Sequence, residues 1–151
     1  MADSNMTEEQ KAQKLSNARN QKSSYERQKA QKQSQYDSNS NKINRLKETK
    51  RVLKEQKAIA KSGYKSMKNY AKDDANFSNW TGTKRDTAHN TIEGSIVSDY
   101  ENYVDRIDDV LDAINTEITR LENANLRLHG DILGLASAIN SLANTISNLL
   151  N

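Results

Sequence analysis

Two rows of residues recur every seven positions through the second half of the chain. The first is Val97, Val104, Leu111, Ile118, Asn125, Ile132, Ile139 and Ile146. The second, three residues on, is Tyr100, Ile107, Ile114, Leu121, Leu128, Leu135, Leu142 and Leu149. Every one of these positions is apolar or aromatic except Asn125. A seven-residue repeat falls slightly short of two full α-helical turns. The stripe therefore stays on a partner only if two helices wind around each other with a left-handed supercoil. A helix over about residues 84–150 is predicted, ~100 Å long at the α-helical rise.

The first half reads as a second long helix. Thr7-Glu8-Glu9-Gln10 has the form of a capping box. From there to about residue 73, Lys, Gln, Glu, Ala and Ser dominate, and the whole chain has no proline and five glycines. Apolar residues are sparse at first (Leu15, Ala18, Tyr25, Tyr36). They then turn regular at Ile43, Leu46, Leu53, Ala60, Tyr64, Met67 and Ala71, a heptad stripe interrupted by Lys50 and Lys57. Residues 1–41 are polar enough to fray when alone. Hydrophobic residues make up 34% of the chain and aromatics 5%, too few for a deep globular core but enough for two narrow stripes.

Asp74 to Thr83 (DANFSNWTGT) is the one segment rich in turn formers, with Ser78 or Thr83 placed to cap the second helix. The predicted fold is all-α: one long antiparallel two-helix hairpin, with arm one at about 7–73, the turn at 74–83 and arm two at about 84–150. Charge favours the fold-back. Residues 1–76 carry 18 Lys and Arg against 9 Asp and Glu, whereas residues 84–151 carry 5 against 11.

The two arms do not match along their length. With the bend at residue 80, residue n meets residue 160 − n. This sets Leu128, Ile132, Leu135, Ile139, Leu142, Ile146 and Leu149 against the polar opening of arm one. After Asp131 arm two has no charge, and Leu133, Ala136, Ala138, Ala143 and Leu150 widen its apolar face. Those seven residues form the expected partner-binding face, completed by another chain. A hetero-oligomer is the first expectation and a homo-oligomer the alternative.

Catalytic chemistry finds no foothold. There is no cysteine, and the two histidines, His89 and His129, lie 40 positions apart. Asp86, His89 and Glu93 share a helix face without a second histidine, and reading them as a solvated surface is preferred to a metal site. Asp105, Asp108, Asp109 and Asp112 lack the spacing and glycine of a calcium loop, and no phosphate-binding loop is present. No enzyme activity, cofactor or metal is expected. The basic run Lys42–Lys72 is interleaved with glutamates and faces an acidic arm, so protein is preferred to nucleic acid as the partner.

No apolar run reaches the ~20 residues of a membrane span, and the opening residues do not resemble a Sec-type signal. A cytoplasmic location, or export by other machinery, is expected. The charge-free closing stretch also raises a membrane-active reading, which rests on amphipathicity alone. Asn125 is read as a register-setting polar residue in the stripe.

Phe77 and Trp80 are the only phenylalanine and tryptophan, and both fall in the turn beside Gly82, where close backbone approach or a positive φ is expected. A long proline-free helical hairpin with Trp80-Thr81-Gly82 at its bend resembles the WXG-motif family handled by type VII (ESX) secretion. Phe77-Ser78-Asn79-Trp80-Thr81-Gly82 behind a basic first arm is most similar to its YwqH-like branch, found in Gram-positive bacteria beside LXG-type toxins. The resemblance implies a non-enzymatic adaptor, chaperone or co-secreted targeting factor. Its partner would be the helical N-terminal domain of a toxin or another small helical hairpin, and Phe77, Trp80 and Gly82 would form the turn motif. Arm two ends without the Y-x-x-x-D/E signal of that family, and the one match, Tyr70 to Asp74, precedes the bend. Either the partner supplies the signal or the chain stays inside. The alternative to this reading is a coiled-coil scaffold that self-associates.

Overall fold

The computed structural model describes residues 6–78 and 81–151. Two long helices, α1 (Glu8–Lys72) and α3 (Val97–Leu150), form an all-α helical hairpin. Between them lie a 3-10 turn (Asp74–Phe77), a short helix α2 (Gly82–Asn90) and a π-helical segment (Thr91–Ile96) that runs into α3.

Helix α1 begins where its capping box dictates. The Gln10 amide N–H donates to Thr7 Oγ1 and the Thr7 N–H donates to Gln10 Oε1, each at 3.2 Å. Its polar opening third is helical from Glu8 onward. The inner row of the later heptads extends unbroken back to the start. Leu15, Ala18, Lys22, Tyr25, Lys29, Lys32, Tyr36 and Asn39 are each buried or half-buried. Lysine occupies inner positions by laying its aliphatic stem along apolar surface while the ammonium reaches water.

The chain divides into two compact units. A central unit holds Asn44–Thr119, and a terminal unit holds Met1–Ile43 with Arg120–Asn151. In the central unit the core is built from Ala60, Ala71, Phe77, Val97, Ile107, Leu111, Ile114 and Ile118. Lys57, which interrupts the stripe, donates from its ammonium to Asp108 on α3. In the terminal unit Ala18, Ile43, Leu121 and Ile132 are buried together with Asn125, and Lys32 pairs with Asp131 at 2.8 Å.

The pairing is offset from the 160 − n rule. In the central unit Lys57 meets Asp108 and Gly63 meets Tyr100, numbers totalling 165 and 163. In the terminal unit Lys32–Asp131, Asn39–Asn125 and Tyr36–His129 total 163, 164 and 165. The difference is about one helical turn. Sums of 163 to 165 put the midpoint of the pairing at about residue 82 in place of 80.

Gly63 shows how closely the helices pack in the central unit. A Cβ there would lie 2.8 Å from Tyr100 Cε1, so the glycine makes room for the tyrosine ring. Gly63→Leu is expected to destabilise the protein by about 1–3 kcal/mol through overpacking. Around Gly130 nothing lies within 4 Å of a Cβ, and Gly130→Ala is expected to stabilise by about 0.5–1 kcal/mol. Urea denaturation of both variants checks the opposite signs.

Candidate partner-binding surfaces

The turn of the central unit is organised by Phe77. The Asp73 carboxylate accepts from the Ala75 N–H at 3.0 Å and starts the 3-10 turn. Asn76 Nδ2 donates to the Tyr70 carbonyl at 3.1 Å and ties the turn to the end of α1. Phe77 is thereby turned inward, only 2% exposed. Its ring meets Tyr70 edge-on at 5.7 Å and His89 at 5.4 Å, so three aromatic rings close this end of the core. Helix α2 then starts at Gly82, whose φ of +57° is the left-handed conformation glycine adopts freely. Thr81 is the N-cap residue, in extended conformation, and makes no side-chain cap bond; neither Ser78 nor Thr83 takes that place. Trp80 lies outside the described residues.

His89 is not a purely solvated residue. It is half-buried against Phe77, and its Nδ1 lies 3.4 Å from Glu93 Oε2. The sequence signal was a face shared by His89 and Glu93. Its aromatic partner, twelve residues upstream, has no helical periodicity to reveal it. No cluster of metal-ligating side chains occurs among the described residues. Of the acidic group on α3, Asp108 is engaged by Lys57.

In the terminal unit the apolar rows of α3 face α1 with graded cover. Leu121 is 2% exposed, Asn125 8% and Ile132 9%. Leu128, Leu135, Ile139, Leu142, Ile146 and Leu149 are all half-buried. The gradient follows what α1 offers. Near Asn125 the neighbours are Tyr36, Asn39 and Ser40, which hydrogen-bond it. Toward the chain ends α1 presents Lys22, Ala18 and Leu15, which offer alkyl stems and small side chains in place of full apolar layers.

On the flank of the same helix Leu126, Leu133 and Leu150 stand exposed. Among the described residues no helix is long and apolar enough to cross a membrane.

A family model described as YwqH-like matches residues 20–144, which spans most of both long helices. No curated protein and no solved structure matches the chain.

Proposed function

The chain belongs to the YwqH-like family, and on that basis we propose that it is a non-enzymatic helical partner protein of type VII (ESX) secretion. It serves as adaptor, chaperone or co-secreted targeting factor for an LXG-type toxin, engaging the toxin's helical N-terminal domain. The observation that carries this reading is the graded cover of α3. Leu128, Leu135, Ile139, Leu142, Ile146 and Leu149 are left half-buried by their own hairpin and can gain burial from a further helix, whereas Ile132, of the same expected face, is already buried within it.

Co-expression with the products of neighbouring genes tests the role. A long-helix toxin domain is expected to co-purify in a defined stoichiometric complex. A stable homo-oligomer that ignores every neighbour would favour the scaffold reading instead. Trp80→Ala is expected to abolish export of the complex while far-UV circular dichroism stays within a few per cent of wild type, because one turn residue adds little to the helices. Secretion at the wild-type level would remove the turn from the mechanism.

A further inference from the structure

We propose that the terminal unit carries a groove for an acidic amphipathic helix of another protein, floored by Ala136 and Ala143, bounded by Leu133 and Leu150, and edged by Lys22 and Lys29. The inference deepens the partner role proposed above and rests on it for the existence of a partner, but not for its chemistry.

A contact in the central unit sets the pattern. There Lys57, at an inner position of α1, reaches out to Asp108, the residue of α3 one place beyond the inner row. The two numbers total 165. In the terminal unit the same geometry recurs with Tyr36 against His129, again totalling 165. Continuation by heptads sets Lys29 opposite Ala136, Lys22 opposite Ala143 and Leu15 opposite Leu150. Where the central unit sets Asp108 against Lys57, the terminal unit sets alanines against Lys29 and Lys22; its third inner lysine, Lys32, is paired with Asp131.

The first two are correspondingly short of acid. Lys22 is paired within its own helix to Glu26 at 3.1 Å, and Lys29 has no ion-pair partner among the described residues. The floor has the spacing of a second seam. Leu133, Ala136, Ala143 and Leu150 alternate by three, seven and seven, with Leu133 and Leu150 each 58% exposed. Alanines between leucines allow close approach of a helix, and that helix would bring its flanking carboxylates to Lys22 and Lys29.

Charge selects the occupant. The central unit holds 13 Lys and Arg against 13 Asp and Glu, while the terminal unit holds 10 against 7. The whole net charge of +3 therefore resides in the terminal unit. Two copies joined through this groove would set like charge on like, whereas an acidic helix neutralises it.

The test uses the full chain and two labelled synthetic peptides of three heptads. Both have leucine at the inner positions; the flanks are glutamate in one and lysine in the other. Fluorescence anisotropy is expected to show saturable binding of the glutamate peptide that weakens with added salt, and at least tenfold weaker binding of the lysine peptide. Lys22→Glu combined with Lys29→Glu is expected to reverse that preference. Leu133→Asp is expected to weaken the glutamate peptide at least tenfold, while Ile59→Asp, at an exposed site of the central unit, leaves it unchanged. All four sites are half-buried or exposed, and circular dichroism verifies that the variants fold. Equal binding of both peptides, an unaltered preference in the double variant, or a dimer by light scattering that Leu133→Asp dissolves would overturn the assignment. Co-purification of a gene neighbour alongside any of these results would refute the groove's chemistry and leave the partner role standing.

Discussion

Replacing Ile139 with aspartate is expected to abolish capture of the partner, lowering affinity about 100-fold or more. Ile139 lies on the inner row of α3 and is half-buried in the terminal unit. By the register seen there it faces Tyr25. Two losses add. Removing the isoleucine forfeits part of the ~1.5–3 kcal/mol a buried aliphatic side chain contributes. Covering the new carboxylate with a partner helix costs further desolvation, bringing the total to about 3 kcal/mol, or two decades in Kd. The helix itself should persist, since α3 continues for three turns beyond the site and aspartate at one inner position does not break it. Ile59→Asp is the matched control, because Ile59 is already exposed and substitution there is expected to change stability by less than about 0.5 kcal/mol. Calorimetric titration with the helical toxin domain proposed as partner reads the difference. Undiminished affinity in the Ile139 variant would show that the apolar row is not where the partner sits.

The long helices were legible because their information is local and periodic. The heptad rows from Val97 to Leu149 all occupy buried or half-buried positions, and the capping box at Thr7 forms as the sequence pattern requires. The opening third of α1 was harder to read. Lys22, Lys29 and Lys32 look polar in composition, yet they hold inner positions through their stems, so a count of apolar residues understates what α1 can cover. The π-helical segment Thr91–Ile96 was invisible for a different reason. No residue type there demands it, and a uniform helical rise does not anticipate it. Phe77 was picked out by its rarity. Its packing between Tyr70 and His89 depends on a turn that brings together residues with no common periodicity. Sequence showed that α3 has more apolar surface than one neighbour needs. Which side of α1 that surplus faces depends on the register, which the pattern of residue types does not give.

Asn125→Leu is expected to make the protein more stable and less specific. The Asn125 side chain is 8% exposed and fully engaged: Nδ2 donates to Ser40 Oγ at 3.0 Å and to the Tyr36 carbonyl at 3.3 Å, and Oδ1 accepts from Asn39 Nδ2 at 3.0 Å. This set exists in one register only. A slip of one heptad would bring Leu46 or Lys32 to the position of Asn39. A buried amide left facing leucine costs about 1–3 kcal/mol. Leucine at 125 removes that penalty from the slipped states and adds apolar burial to the native one, while half-buried Asn39 and Ser40 can turn to water. A gain of about 1–2 kcal/mol results, or several degrees in Tm for a chain of this size. The loss of specificity is read by cross-linking, for which a chain without cysteine is well suited. Paired substitutions Tyr36→Cys with His129→Cys should form a disulfide in either background, since those rings are neighbours in the native register. Lys29→Cys with His129→Cys, one heptad out, should cross-link only when residue 125 is leucine. A lower Tm in Asn125→Leu, or cross-linking confined to the native pair in both backgrounds, would mean that packing alone fixes the register and the asparagine has another purpose.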